Sequence, residues 1–231
     1  PELKRGSAPT IDLIRLEKEL YNFLQEVIYG SFMQEQVKPD ARRISDIALS
    51  GNGEPTSAKE FKQVIDIIGK IKLSFDSLKD LKVVLITNGS LIDRENVQAG
   101  LRRLAEINGE VWFKLDSVIR ERRQQINNTR MSSRQVCSNL KLSASLCPTW
   151  IQTCVFKTDG NPPTRVETKA YLGFVEKLLQ EGTLIQGVLL YGLARFSMQP
   201  ESPRLTKVTK KWIESFGKEI DSLGLIVKIN M

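Results

Sequence analysis

Hydrophobic positions along the chain switch repeatedly between two periods, one helical and one extended. Behind Thr10, whose hydroxyl can cap a helix, Leu13, Leu16, Leu20, Phe23 and Val27 fall on one helical face. "ISDIALS" (44–50) reads as a strand, and Ser57 with Glu60 has the spacing of a capping box ahead of Phe61, Val64, Ile65 and Ile68. "LKVVLITNG" (81–89) is apolar on both faces, as a buried parallel strand would be, and a helix is expected over about 93–107. "EVWFKLDS" (110–117) predicts a third strand. A basic connection, "IRERRQQINNTRMSSR", then leads into a helix around 136–146.

The second half repeats the alternation. "TWIQTCVF" (149–156) predicts a fourth strand, and Thr164 with Glu167 forms a second capping box opening a helix through Tyr171, Phe174, Val175 and Leu178. "TLIQGVLLYGLAR" (183–195) contains a fifth strand. A polar, proline-containing loop precedes a helix bearing Trp212, Ile213, Phe216 and Ile220, and "LIVKI" (225–229) follows Gly224 as a sixth strand. Strands alternating with helices predict a parallel sheet with helical crossovers. The expected organisation is a single domain over 1–231, with an N-terminal segment and first helix over 1–43 and the alternating elements over 44–231. The count opens on a helix with no strand before it, which would leave "IALS" as an apolar sheet edge. The chain reads as lacking its first strand.

Composition narrows the chemistry. Histidine is absent, so this chain supplies no Ser-His-Asp or Cys-His system and no His-ligated zinc. Cys137, Cys147 and Cys154 form no CxxC pair or disulfide framework, and buried free thiols are expected. No metal ligand is assigned. No apolar run approaches the roughly 20 residues of a membrane span and no leader pattern opens the chain, so the expected compartment is the cytoplasm. The net charge of +7 favours anionic partners.

Ligands of parallel α/β sheets bind where the strands end. Those ends carry Gly51, Asn52, Gly53 and Glu54; Asn88; Lys114 and Asp116, which strand alternation puts on one face; Gln152 and Cys154; and Tyr191. Glycines allow close backbone approach, and the two carboxylates can accept hydrogen bonds from an ammonium or a hydroxyl. This rim suits a small polar molecule carrying both charge signs. RNA is a second candidate partner, through Arg120, Arg122, Arg123, Arg130 and Arg134, with a solvated basic helix face as the plainer reading.

Several of these segments resemble the radical S-adenosylmethionine (radical SAM) enzymes. "SGNGEP" (50–55) looks like the family's GGEP turn on its second strand, with Asn52 in place of a glycine. "LITNG" (85–89) and "WFKLD" (112–116) are similar to its next two strands. "CPTWIQTCVF" and "GVLLYGLARFSMQPE" resemble a bacterial branch of the family, and the likeness runs from about Ile44 to the end. It implies an α/β fold, a partial (β/α)6-type open barrel of parallel strands.

By the same resemblance, Gly51, Asn52, Gly53 and Glu54 would hold the amino group of S-adenosylmethionine. Asp116, with Lys114, would contact its ribose or carboxylate, and the segment from Tyr191 to Leu193 would pack on the adenine. Asn88 and Gln152 complete the expected cofactor contacts. The family also implies a [4Fe-4S] cluster held by CxxxCxxC after the first strand, yet no cysteine precedes Cys137. The expectation is therefore a radical SAM protein that cleaves its cofactor to a 5′-deoxyadenosyl radical once completed by a cluster-binding segment. The alternative is a truncated, non-catalytic module that binds S-adenosylmethionine or a partner such as RNA.

Overall fold

The computed structural model describes residues 9–50, 53–127, 129, 131–194 and 200–231. Among them, six parallel strands form one sheet in the order β1-β2-β3-β4-β6-β8, and two short strands pair separately. The strands are β1 (Asp46–Leu49), β2 (Lys82–Thr87), β3 (Gly109–Lys114), β4 (Thr149–Cys154), β5 (Phe156–Thr158), β6 (Gly187–Tyr191), β7 (Leu205–Lys207) and β8 (Val227–Asn230). Strand order and parallel sense are those of a partial, open (β/α) barrel, the expected fold class. By contacts the chain divides into two compact units, Pro1–Leu85 with Leu91–Glu110, and Ile86–Ser90 with Val111–Met231. The chain passes between the units at three points, inside β2, in the turn after Ser90 and inside β3.

In the first unit, α1 (Leu13–Tyr29) begins at Asp12, not Thr10, because the Asp12 carboxylate accepts from the Arg15 N–H at 3.0 Å. A short α2 (Phe32–Gln36) follows. β1 pairs with β2 in parallel from Asp46↔Lys82 to Leu49↔Leu85. Leu24, Ile71, Phe75 and Leu78 are buried together, with Leu20, Ile28, Ile44, Ile47, Ile67 and Leu81 packed around them. β1 is the edge strand of the sheet, as expected, but only four residues long, and its Ile47 packs against the cluster that includes Leu24 of α1.

The Ser57–Glu60 capping box does not form. Glu54 caps a 3-10 turn over Pro55–Ser57, the Ser57 hydroxyl donates to the Glu54 carbonyl at 2.6 Å, and α3 (Phe61–Leu73) starts later at Glu60 without a side-chain cap. Here α4 spans Glu95–Glu106 and packs Gly100 directly on the Phe61 ring.

The second unit holds α5 (Arg120–Asn127), α6 (Ser133–Leu146), α7 (Arg165–Gln180) and α8 (Lys210–Asp221). The Thr164–Glu167 capping box forms as expected, and a second one, Ser132 with Gln135, fixes the start of α6. The basic connection contains a helix that its few apolar residues did not announce. "TWIQTCVF" divides into β4 and β5, and β5 leaves the main sheet to pair antiparallel with β7 from the polar loop.

β3, β4, β6 and β8 run in parallel with a register that defines rows across the sheet. One face, with Ile151, Thr153, Val188 and Leu190, packs on helices: the Thr153 and Tyr171 hydroxyls are 2.8 Å apart, and Tyr171 meets Phe216 edge-on. The other face carries Trp112, Lys114, Trp150, Gln152, Cys154, Leu189, Tyr191, Lys228 and Asn230. Among the described residues no helix is long and apolar enough to cross a membrane.

Candidate functional site

The polar residues anticipated at the strand ends divide between the two units. In the first, Gly51 and Asn52 lie outside the described residues. Gly53 is exposed and Glu54 half-buried. Glu54 Oε1 accepts from both the N–H (3.2 Å) and the hydroxyl (2.6 Å) of Thr56, so this carboxylate shapes its own turn.

The second unit brings together the larger group. Asn88 Oδ1 accepts from the Ser90 N–H at 2.8 Å, holding the loop after β2, and the Asn139 amide donates to the Gly89 carbonyl at 2.7 Å from within the core. Lys114, Gln152, Leu189 and Lys228 occupy one row of the other face. Cys154, Tyr191 and Asn230 occupy the next, toward the strand ends. Lys114 is exposed; Gln152, Tyr191 and Leu193 are half-buried. The carbonyl oxygen of the Gln152 side chain is buried and has no hydrogen-bond partner among the described residues.

Asp116 sits just past β3. Its Oδ1 accepts from the Cys154 N–H at 2.8 Å and its Oδ2 from the Asn127 amide at 2.6 Å, tying the ends of β3, β4 and α5 together. Burial pushes the Asp116 carboxyl above its ordinary range, against the opposing pull of Asn127, the Cys154 N–H and Lys114. Burial, with the nearby Asp116 charge, pushes the Cys154 thiol up to about 12 and raises the Tyr191 phenol as well. Cys154 and Tyr191 therefore stay neutral near pH 7, and Asp116 holds its proton to a higher pH than a free carboxyl does.

On the helix-covered side of the same strand ends lies a small pocket. Asp116, Thr153, Tyr171, Thr168, Arg122 and Phe216 are among its walls.

A pH signature follows from the raised Asp116 value. Between its ordinary 3.8 and the raised folded value, the native state keeps a proton that the unfolded chain has shed. Stability then falls as pH rises through that window, and the penalty is complete above it. Asp116→Asn, which can still accept from Cys154, is expected to match or exceed the wild type at pH 7 in urea denaturation. Asp116→Ala strands two donors and is expected to lose about 1–3 kcal/mol. Equal losses in both variants would refute this account.

The basic patch is only partly a surface. Arg123 is buried and donates to the carbonyls of Ser117, Val118 and Met131, while Arg122 pairs with Glu167 at 3.1 Å and donates to the Thr158 hydroxyl. Arg120 and Arg134 are exposed, and Arg130 lies outside the described residues.

Sequence reasoning missed Asn127, Asn139, Trp150 and Lys228. Asn127 was hidden in a stretch without helical periodicity. The pairing of Lys228 with Trp150 depends on a register linking strands 78 positions apart.

No family model matches the chain, and no curated protein matches it. Solved structures do. A domain of pyruvate-formate lyase-activating enzyme from Bacteroides vulgatus ATCC 8482 superposes with a TM-score of 0.59 at 14% identity, covering 81% of this chain and 100% of that one. A radical SAM methyltransferase from Sphaerobacter thermophilus gives 0.57 at 14% identity, again over 81% of this chain. The match spans 51% of that methyltransferase. At this identity the likeness is one of fold.

Proposed function

We propose that this chain, whose fold is shared with radical SAM proteins, binds S-adenosylmethionine at the C-terminal ends of its parallel strands. The observation that carries the reading is at Gly192, directly after β6. This residue is buried, yet a Cβ added there would meet no described atom within 4 Å. Space beside a buried backbone, between Tyr191 and Leu193, suits the flat face of a purine. Lys114 can take the methionyl carboxylate as a charge-assisted pair, and Asp116 can accept from a ribose hydroxyl with the lone pairs its two partners leave. Asn88, in the same unit, supplies a side-chain carbonyl suited to an ammonium group. When bound, the cofactor offers a sulfonium whose reductive cleavage yields a carbon radical; this chain's part is to bind and orient it.

The iron–sulfur cluster that the fold family implies does not fit the residues described. Cys147 is buried at the end of α6, whereas Cys137 and Cys154 are half-buried on α6 and β4. No group of three or more Cys, Asp or Glu side chains among the described residues is placed to hold a metal. Cys154, moreover, is held as a thiol by burial, whereas cluster ligands are thiolates. The radical step is therefore not assigned to groups of this chain.

Isothermal titration with S-adenosylmethionine tests the binding reading. The wild type is expected to bind saturably, and Gly192→Val, which fills the space beside β6, to weaken binding at least tenfold. No saturable heat with the wild type, or unchanged affinity in the variant, would refute it.

A further inference from the structure

The sheet face of the second unit that carries Trp150 and Lys228 has an aromatic and cationic pair to which the cofactor reading assigns nothing, beside Gln152. The Lys228 ammonium lies 4.2 Å from the centre of the Trp150 ring. Trp150 is itself buried, and Gly187 on the neighbouring strand makes room for it: with φ at +146°, a Cβ there would come within 2.8 Å of the indole. Two positions along β4, on the same face, is Gln152 with its buried and unpartnered side-chain oxygen. Lys114 is next to Gln152 in the same row and Lys228 lies beyond Leu189, two strands from Gln152; neither lysine forms an ion pair among the described residues. That row brings two ammonium groups and no carboxylate; Glu110 and Asp116 share the face, one before the row on β3 and the other past the strand's end.

A ligand seated here must offer negative charge to an ammonium and a donor to an amide oxygen, because each of these side-chain groups can do only one thing. A carboxylate at neutral pH supplies the charge and lacks the donor. A phosphoryl group supplies both, since its second pKa of about 6 leaves part of it carrying a P–OH near neutrality. The geometry points to a phosphoryl-binding subsite formed by Lys228, Trp150 and Gln152. Lys228 leaves the indole to pair with the phosphoryl oxygens, and Gln152 accepts from the remaining hydroxyl. The subsite goes beyond the cofactor reading and stands without it: it assigns a phosphate-bearing small molecule to the face beside the strand ends.

The test is a titration of the chain with inorganic phosphate at pH 6.5 and constant ionic strength, followed by tryptophan emission. Phosphate is expected to change the emission saturably, with half-saturation raised at least tenfold in Lys228→Met and in Gln152→Leu. Lys228 is exposed, so its replacement is expected to leave the melting temperature unchanged. Acetate is expected to bind at least tenfold more weakly than phosphate. Glycerol 2-phosphate separates the two sources of such a group: binding as tight as phosphate or tighter marks an esterified ligand, and weaker binding marks free phosphate. Either result upholds the subsite.

The subsite is overturned if potassium chloride reproduces the response, if acetate binds equally well, or if Lys228→Met titrates like the wild type. It is overturned too if saturating S-adenosylmethionine abolishes phosphate binding, because the two would then share one site. Failure of S-adenosylmethionine to bind at all would remove the cofactor reading and leave the phosphate result as it stands.

Discussion

Lys72→Ala is expected to destabilise the chain by about 3–5 kcal/mol, the largest loss foreseen for a single polar side chain here. Lys72 is 3% exposed, in the last turn of α3. Its ammonium donates to the carbonyls of Leu81, just before β2, and Ile107, just after α4, the latter at 2.8 Å. One side chain thus closes the termini of three elements. Each carbonyl left bare costs about 1–3 kcal/mol, and the lost stem removes apolar packing besides. Lys72→Met keeps most of the stem and is expected to lose about 2–4 kcal/mol, isolating the polar part.

Burial, and then the Lys82 charge, lower the Lys72 value from its ordinary 10.5. Between the lowered folded value and 10.5 the unfolded chain holds the extra proton. Stability is therefore expected to rise with pH in that alkaline window, and the rise to vanish in Lys72→Met. Guanidinium denaturation from pH 8 to 10.5 measures both effects. A Lys72→Met variant as stable as the wild type would show that water can satisfy the two carbonyls.

Gly89→Ala is expected to cost about 2–4 kcal/mol. Gly89 has φ of +73°, and a Cβ there would lie 2.2 Å from the ring of Phe113, which is itself buried. The glycine cannot withdraw, because its N–H donates to the Thr87 hydroxyl at 3.0 Å and its carbonyl accepts from Asn139. Left-handed backbone alone costs a residue with a Cβ about 1 kcal/mol, and a methyl forced against a packed ring costs about 1–3 more. Gly160 separates the two contributions: its φ is +79° with no described atom near the added Cβ. Gly160→Ala is therefore expected to lose only about 1 kcal/mol. Equal losses at the two positions, by denaturant midpoint, would dismiss the Phe113 contact.

Local chemistry explains where the reading of the chain held and where it failed. Thr164 and Glu167 satisfy each other's needs within one turn, so the start of α7 was legible. The same spacing at Ser57 and Glu60 misled, because the Glu54 carboxylate three residues earlier captured Thr56 first. α5 escaped notice because Arg123, its one buried residue, is cationic, and only its three carbonyl partners make that burial tolerable. β5 was merged with β4 because both are extended and apolar; Val155 between them gives no sign that the pairing partner changes.

The alternation of strand and helix, the parallel sense and the polar character of the strand ends were determined by the sequence alone. They depend on period and short-range order, which neighbouring residues carry. What the polar groups face was decided by the tertiary structure. Asp116 was expected to meet a ligand's hydroxyl and also proves to clamp Asn127 and the backbone of Cys154. Lys228 reached Trp150 only once β4, β6 and β8 had taken one register. A side chain's type fixes what it can donate or accept, but its partner is set by contacts between residues far apart in the chain.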